Sequence, residues 1–164
     1  MKKGMILSAL LVLIAISASY AQMKANSVLN APEDYEGKTL VFDEAWIDEK
    51  IVRNPHFGFY CLDVDIQNKH VPGYLYRSQL NFVIFSDRFA KQVMKDLERA
   101  HEAEKRGPDF ELLDHVCLRR ASPVRLTCII ERFQGYWIAD VKKVELYGKQ
   151  REIVDTIDSD MSTH

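Results

Sequence analysis

The sequence predicts a mainly β domain: five strands closed into a small barrel, with one long helix between the third and the fourth. Three observations predict it. Segments rich in β-branched and aromatic residues recur with period-two alternation, most plainly in "FGFYCLDVDI" (Phe57 to Ile66) and "PVRLTCIIERF" (Pro123 to Phe133). One stretch, "SDRFAKQVMKDLERAHEAEKRG", has apolar residues at helical spacing instead. Turn residues at Gly37, Pro55, Pro72–Gly73 and Gln134–Gly135 separate the strand-like runs.

The domain follows a leader. Lys2 and Lys3 precede the apolar run "MILSALLVLIAIS", and small residues at Ser19 and Ala21 follow it. This is the basic, apolar, small-x-small order of a secretory signal peptide, with cleavage expected after Ala21. An uncleaved anchor is the alternative, but the run is shorter than the ~20 residues a spanning helix needs. The expected organisation is a signal peptide over 1–21, a flexible lead-in over 22–33, the barrel over 34–148 and a loose polar tail over 149–164. The protein is then periplasmic or secreted, with no transmembrane segment after the signal is removed.

Strand one is "KTLVFDEAWID" (Lys38 to Asp48). Strand two, Phe57 to Ile66, points Tyr60, Leu62, Val64 and Ile66 inward and Phe59, Cys61, Asp63 and Asp65 outward. Strand three, "YLYRSQLNFVIF" (Tyr74 to Phe85), points Tyr76, Leu80, Phe82 and Ile84 one way and Arg77, Gln79, Asn81 and Val83 the other. Ser86 suits a helix N-cap and Asp87 its positive first turn. Phe89, Val93, Leu97 and Ala100 mark the buried stripe, and Gly107–Pro108 stops the helix. Strand four places Val124, Leu126, Cys128 and Ile130 inward. The Gln134–Gly135 turn leads to strand five, "YWIADVKKVELYG" (Tyr136 to Gly148).

Five strands with a helix between the third and fourth is the element order of the OB-fold barrel. The chain resembles small exported OB-fold proteins similar to the tRNA-anticodon-binding module. The likeness rests on "DYEGKTLVF", "FGFYCLDVD", "LNFVIFSDRFAKQV", "PVRLTCII" and "GYWIADVKKVEL", and covers about Asp34 to Gly148. It implies a fold more than an activity. It also implies where a ligand would sit: on the outer face of strands two and three and the adjoining loops. The candidates on that face are Phe59, Asp63, Asp65, Arg77, Gln79 and Asn81.

Charge bears on the ligand. Two of the 22 basic residues, Lys2 and Lys3, lie in the leader, so the mature chain carries 24 acids against 20 bases, net −4. Single-strand nucleic acid needs aromatic platforms in a positive groove. Phe59 could stack and Arg77 meet a phosphate, but Asp63 and Asp65 oppose it. In a hairpin centred near Val71, Asp65 sits opposite Arg77, and a cross-strand ion pair accounts for both. Arg119, Arg120 and Arg125 form a candidate anion patch, against the simpler reading of a solvated basic face.

The mature chain holds Cys61, Cys117 and Cys128, which allow three pairings. A fold-back around Ser122–Pro123 would bring Cys117 opposite Cys128; buried inert thiols are the alternative. No metal centre is expected, because the histidines are scattered and neither CxxC nor HExxH occurs. No cofactor is expected: there is no Gly-rich phosphate loop, and no GxSxG elbow marks a hydrolase. The reading is an exported binding or interaction module without catalytic activity, its protein partner or small ligand unidentified. An oligonucleotide or other polyanion binder is the second reading and a calcium-dependent hydrolase the third.

Overall fold

The computed structural model describes residues 26–48, 50–67, 69–73, 79–105, 121–148 and 150–160. Among them are nine strands: β1 (Thr39–Asp48), β2 (Val52–Arg53), β3 (Tyr60–Leu62), β4 (Val64–Ile66), β5 (Lys69–Val71), β6 (Leu80–Ile84), β7 (Ala121–Phe133), β8 (Tyr136–Tyr147) and β9 (Ile153–Asp158). The long helix, Asp87–Lys105, lies between β6 and β7 as expected. No helix among the described residues is long and apolar enough to cross a membrane.

All nine strands belong to one sheet, ordered β2-β3-β6-β8-β7-β1-β4-β5, with β9 on β8. The β6–β8 pair is parallel and every other pair is antiparallel. The sheet is not closed, since its end strands β2 and β5 are different segments that do not join in the order. Near those ends, however, β3 and β4 are consecutive in the chain and separated only by Asp63.

That division corrects the expectation of one continuous strand two. At Asp63 the chain exchanges β6 for β1 as its neighbour. Two contacts hold the junction. The Asp63 carbonyl accepts the Asp48 N–H at 3.2 Å. The Asp63 carboxylate accepts the backbone N–H of Gly73. A Cβ at Gly73 would lie 3.0 Å from that carboxylate and 3.2 Å from the Leu62 backbone, so glycine is what permits the approach. Inward parity survives the break: Tyr60, Leu62, Val64 and Ile66 all face the main core.

Bulges bend the longer strands. In β1 the buried residues are Leu40 and Phe42, then Ala45 and Ile47, and the register shifts between Phe42 and Ala45. Two residues, Asp43 and Glu44, stand where one would keep the alternation, which kinks the strand and increases its twist. β8 does the same at Lys142, passing from Ala139 and Val141 to Val144 and Leu146 inward. β7 stays in phase, with Val124, Leu126, Cys128 and Ile130 all fully buried as expected.

The helix packs its apolar stripe of Phe89, Val93 and Leu97 into the same core. Its first turn is capped by Ser86, whose Oγ accepts the Phe89 N–H at 3.2 Å. Asp87 lies 3.9 Å from Arg53; Gly107 and Pro108 lie outside the described residues. Two further expectations fail. Residues 26–30 of the lead-in are helical and bury Val28 in the core. The tail supplies β9, which pairs with β8 and buries Ile157.

Removing the Asp63 carboxylate should therefore loosen the junction. Asp63→Ala is expected to lower unfolding stability by about 1–3 kcal/mol, with Asp63→Asn closer to wild type because it keeps an acceptor. Urea unfolding monitored by circular dichroism measures this, with Val41→Ala, at an exposed position, as a control expected to stay within about 0.5 kcal/mol.

Candidate functional site

The outer face of β3 and β6 is the expected ligand face, and the structure covers much of it. Phe59, Cys61, Val83 and Ile138 form a second apolar cluster, separate from the main core. Phe59 is 0 % exposed. Phe57, Phe133 and Tyr136 pack over it, each partly buried. Phe85 also meets the cluster and remains 39 % exposed.

Five rings are thus in mutual contact. Phe57 and Phe59 are stacked, with centroids 5.5 Å apart and planes within 6°. Phe133 meets Phe57 edge-on at 6.0 Å and Phe59 edge-on at 5.6 Å. Tyr136 meets Phe57 at 6.1 Å, and Phe85 meets Phe59 at 5.4 Å and Phe133 at 5.5 Å. Stacked and edge-to-face geometries suit the ring quadrupoles, each such pair adding about 0.5–1.5 kcal/mol beyond its buried area.

Two tight turns present four of these rings, and Phe85 directly follows β6. In "NPHFG" the Asn54 side-chain oxygen accepts the N–H groups of His56 at 3.0 Å and Phe57 at 3.2 Å. This is an Asx turn. Gly58, with φ +77°, donates its N–H to the Asn54 carbonyl at 3.0 Å, and the Asn54 N–H reaches the Phe59 carbonyl at 2.7 Å. The second turn is Gln134–Gly135, with φ +48° and +89°. Two successive positive φ values at a two-residue hairpin loop are those of a type I′ turn. Phe133 and Tyr136 flank it as a cross-strand pair.

Polar candidates from the sequence serve the fold instead. Asp63 holds Gly73. Asp65 is 6 % exposed, with its carboxylate 3.0 Å from Nδ1 of His70, its partner across β4 and β5. That hairpin pairs Ile66 with Lys69, with Gln67 at its turn, rather than being centred near Val71, so His70, not Arg77, stands opposite Asp65. Asn81 is 3 % exposed and donates to the Trp137 carbonyl at 3.1 Å. Gln79 is exposed. Arg77 lies outside the described residues.

The proposed anion patch is equally committed where it is described. Arg125 bonds the Asp43 carboxylate, lies 3.9 Å from Glu145 and sits over the Tyr147 ring at 5.8 Å. Partial burial works against its charge, but Asp43 outweighs this and the guanidinium is held above its ordinary pKa. Arg119 and Arg120 lie outside the described residues, as does Cys117. Cys61 and Cys128 are free, buried thiols. Burial, and then the Asp63 charge, push Cys61 up to about 11, against a hydrogen bond from Asn54. Complete burial, with Asp140 adding to it, raises Cys128 well above its ordinary value. No group of three potential metal ligands occurs among the described residues.

The aromatic cluster was only partly legible beforehand. Phe59 stood on the correct face, but Phe57, Phe85, Phe133 and Tyr136 looked like separate strand ends. The available signal was that Cys61 and Val83, at outward parity, are apolar. No family model, curated protein or solved structure matches the chain.

Two measurements test this burial. Phe59→Ala is expected to cost about 3–5 kcal/mol in urea unfolding, because it empties a fully buried ring site. In folded protein at pH 8, roughly a thousandth of Cys61 is thiolate, given its pKa of about 11. Peptide mapping after iodoacetamide should find Cys61 and Cys128 unlabelled until guanidinium is added; rapid labelling of Cys61 would contradict the packing.

Proposed function

We propose that the protein is an exported binding module on an OB-type barrel, without catalytic activity, whose ligand or partner meets the aromatic face. One observation carries this reading. Five rings converge on the face between two rigid turns, and the outermost, Phe85, keeps more than a third of its surface in water. Aromatic surface of this kind gives large contact area at small entropic cost.

The pairing pattern supports the OB-type barrel. The antiparallel pairs β1–β4, β3–β6, β7–β8 and β1–β7 and the parallel pair β6–β8 are the adjacencies that a five-strand barrel of this element order requires. Asp63 supplies the continuity between β3 and β4. Export is supported by the basic, apolar and small-residue succession up to Ala21. The polyanion reading loses support at Arg125, whose charge is already met by two carboxylates.

The test is co-purification from envelope extracts of the source cells, comparing wild type with Phe85→Glu. A specific partner is expected with wild type and lost with the variant, and the mature chain should begin at Gln22. Identical recoveries would refute the aromatic face as the binding surface. Retention of the full leader in cytoplasmic protein would refute export. Heparin retention that falls steeply with salt would favour the polyanion reading instead.

A further inference from the structure

β9 is an edge strand away from the aromatic face. Among the described residues it pairs with β8 alone, along 143–147, whereas Tyr136 and Ile138 stand at the other end of β8. β7 occupies the opposite edge of β8, so no further strand lies beyond β9. Ile153, Val154, Asp155 and Thr156 are all exposed, and Ile157 is the residue that reaches the core. Val154 keeps 57 % of its surface in water and Ile153 41 %. An edge strand with exposed apolar side chains is a template for one more strand.

The hydrogen bonds show which part of the edge is regular. Leu146 pairs with Asp155 and Tyr147 with Ile153, so Val154 is bulged. From Asp155 to Asp158 the register with β8 is continuous. In an antiparallel pair, successive residues turn their N–H and C=O groups to opposite edges. Thr156 donates its N–H to the Asp155 carboxylate at 2.8 Å, which places that N–H on the open edge and, by alternation, the N–H of Asp158 beside it.

Charge decides what can add there. Residues 150–160 carry Glu152, Asp155, Asp158 and Asp160 against Arg151 alone. The cations nearby are engaged elsewhere. Arg151 lies 3.3 Å from Glu44, and Lys142 is bonded to Asp140. Lys143 stands opposite Asp158 across the pair, but its amine is 3.7 Å from Glu145. Arg125 is bonded to Asp43. On the long helix, neither Lys91 nor Lys95 forms an ion pair with β9, and Arg99 is held by Asp96. The carboxylates of Asp155 and Asp158 instead accept the backbone N–H groups of Thr156 and Asp160. A second copy of β9 would set these acids against like charges, which is unfavourable across a strand pair.

We infer that the open edge of β9 takes an extended basic segment of a partner protein as an added strand. Asp155 and Asp158 are three residues apart and so lie on opposite faces of the sheet. Two bases at the same spacing in an extended partner meet both, with apolar side chains beside Val154. The partner's cation draws the Asp155 carboxylate away from the Thr156 N–H, which then bonds the carbonyl of the added strand.

Backbone-amide NMR of the full chain with the terminally blocked peptide VKVTKV tests this. The Thr156 and Asp158 amides are expected to shift and to exchange more slowly with solvent, with affinity falling as salt rises. VEVTEV reverses the charge, and VKPPKV keeps it but lacks the central N–H groups; neither is expected to move these amides. Thr156→Pro removes the outward N–H and leaves the bonds to β8, and should weaken binding about tenfold. Asp155→Lys keeps the backbone edge and should weaken binding about threefold or more. Thermal unfolding checks both variants, and Asp155→Lys decides alone if Thr156→Pro does not fold. Unmoved amides with VKVTKV, equal shifts with VEVTEV or VKPPKV, or unaltered affinity in Asp155→Lys each overturns the inference.

Discussion

The architecture turns on one residue at which a strand changes partner. A segment that pairs with one strand at its start and another at its end must change partner somewhere along its length, and the twist of a small sheet makes room for the change. Here the change occurs at Asp63, where β3 leaves β6 and β4 takes up β1. Leu62 and Val64, on either side, are both fully buried, so the break costs no inward packing. The polar groups that a broken ladder would leave open are satisfied locally, through the Asp48 N–H and the Gly73 N–H. A carboxylate serves this purpose because it accepts from a backbone N–H strongly. Everything placed on the outer face, Phe59 and Cys61 included, takes its direction from this junction.

Much of the fold was legible because its signals are local. Alternation located β7 with its inward set from Val124 to Ile130, helical spacing located the stripe Phe89, Val93 and Leu97, and Gln134–Gly135 located the hairpin. What escaped was non-local. Bulges at Asp43–Glu44 and at Lys142 reverse the parity of β1 and β8, and a period of two carries no mark of an inserted residue. β9 escaped because most of its side chains are exposed; backbone pairing to β8 and the buried Ile157 hold it. Val28 escaped because the adjacent pair Val28–Leu29 in a short, mostly polar lead-in has no periodicity to read.

The site was misjudged for a related reason. Outward parity was equated with contact with water, so Asp63, Asp65 and Asn81 seemed available to a ligand. Near the second cluster the sheet is covered on both faces, and a buried polar group must find its partner inside the protein. Asp65 finds His70, and Asn81 finds the Trp137 carbonyl. On the helix, buried Asp96 accepts from Gln92 at 2.6 Å and from Arg99 at 3.1 Å. The same residue types that suggest chemistry in a sequence are spent here on internal pairing, and Arg125 with Asp43 follows that pattern at the surface.

Exposure along the ring cluster then separates support from contact. Phe59 is sealed, Phe57 is partly buried and Phe85 is 39 % exposed. A ring with no accessible surface cannot touch a ligand; Phe59 acts by setting the position of Phe57 and Phe85, both of which pack directly on it. If the cluster served stability alone, its outer rings would gain by further burial, as each square ångström of apolar surface withdrawn from water contributes about 25 cal/mol. Instead the two turns that carry Phe57, Phe133 and Tyr136 are held by specific hydrogen bonds and positive-φ residues, at Asn54 and Gly58 and at Gln134 and Gly135. Rings kept partly in water by hydrogen-bonded turns would lose little conformational freedom on contact with a ligand, and the proposed binding role rests on this.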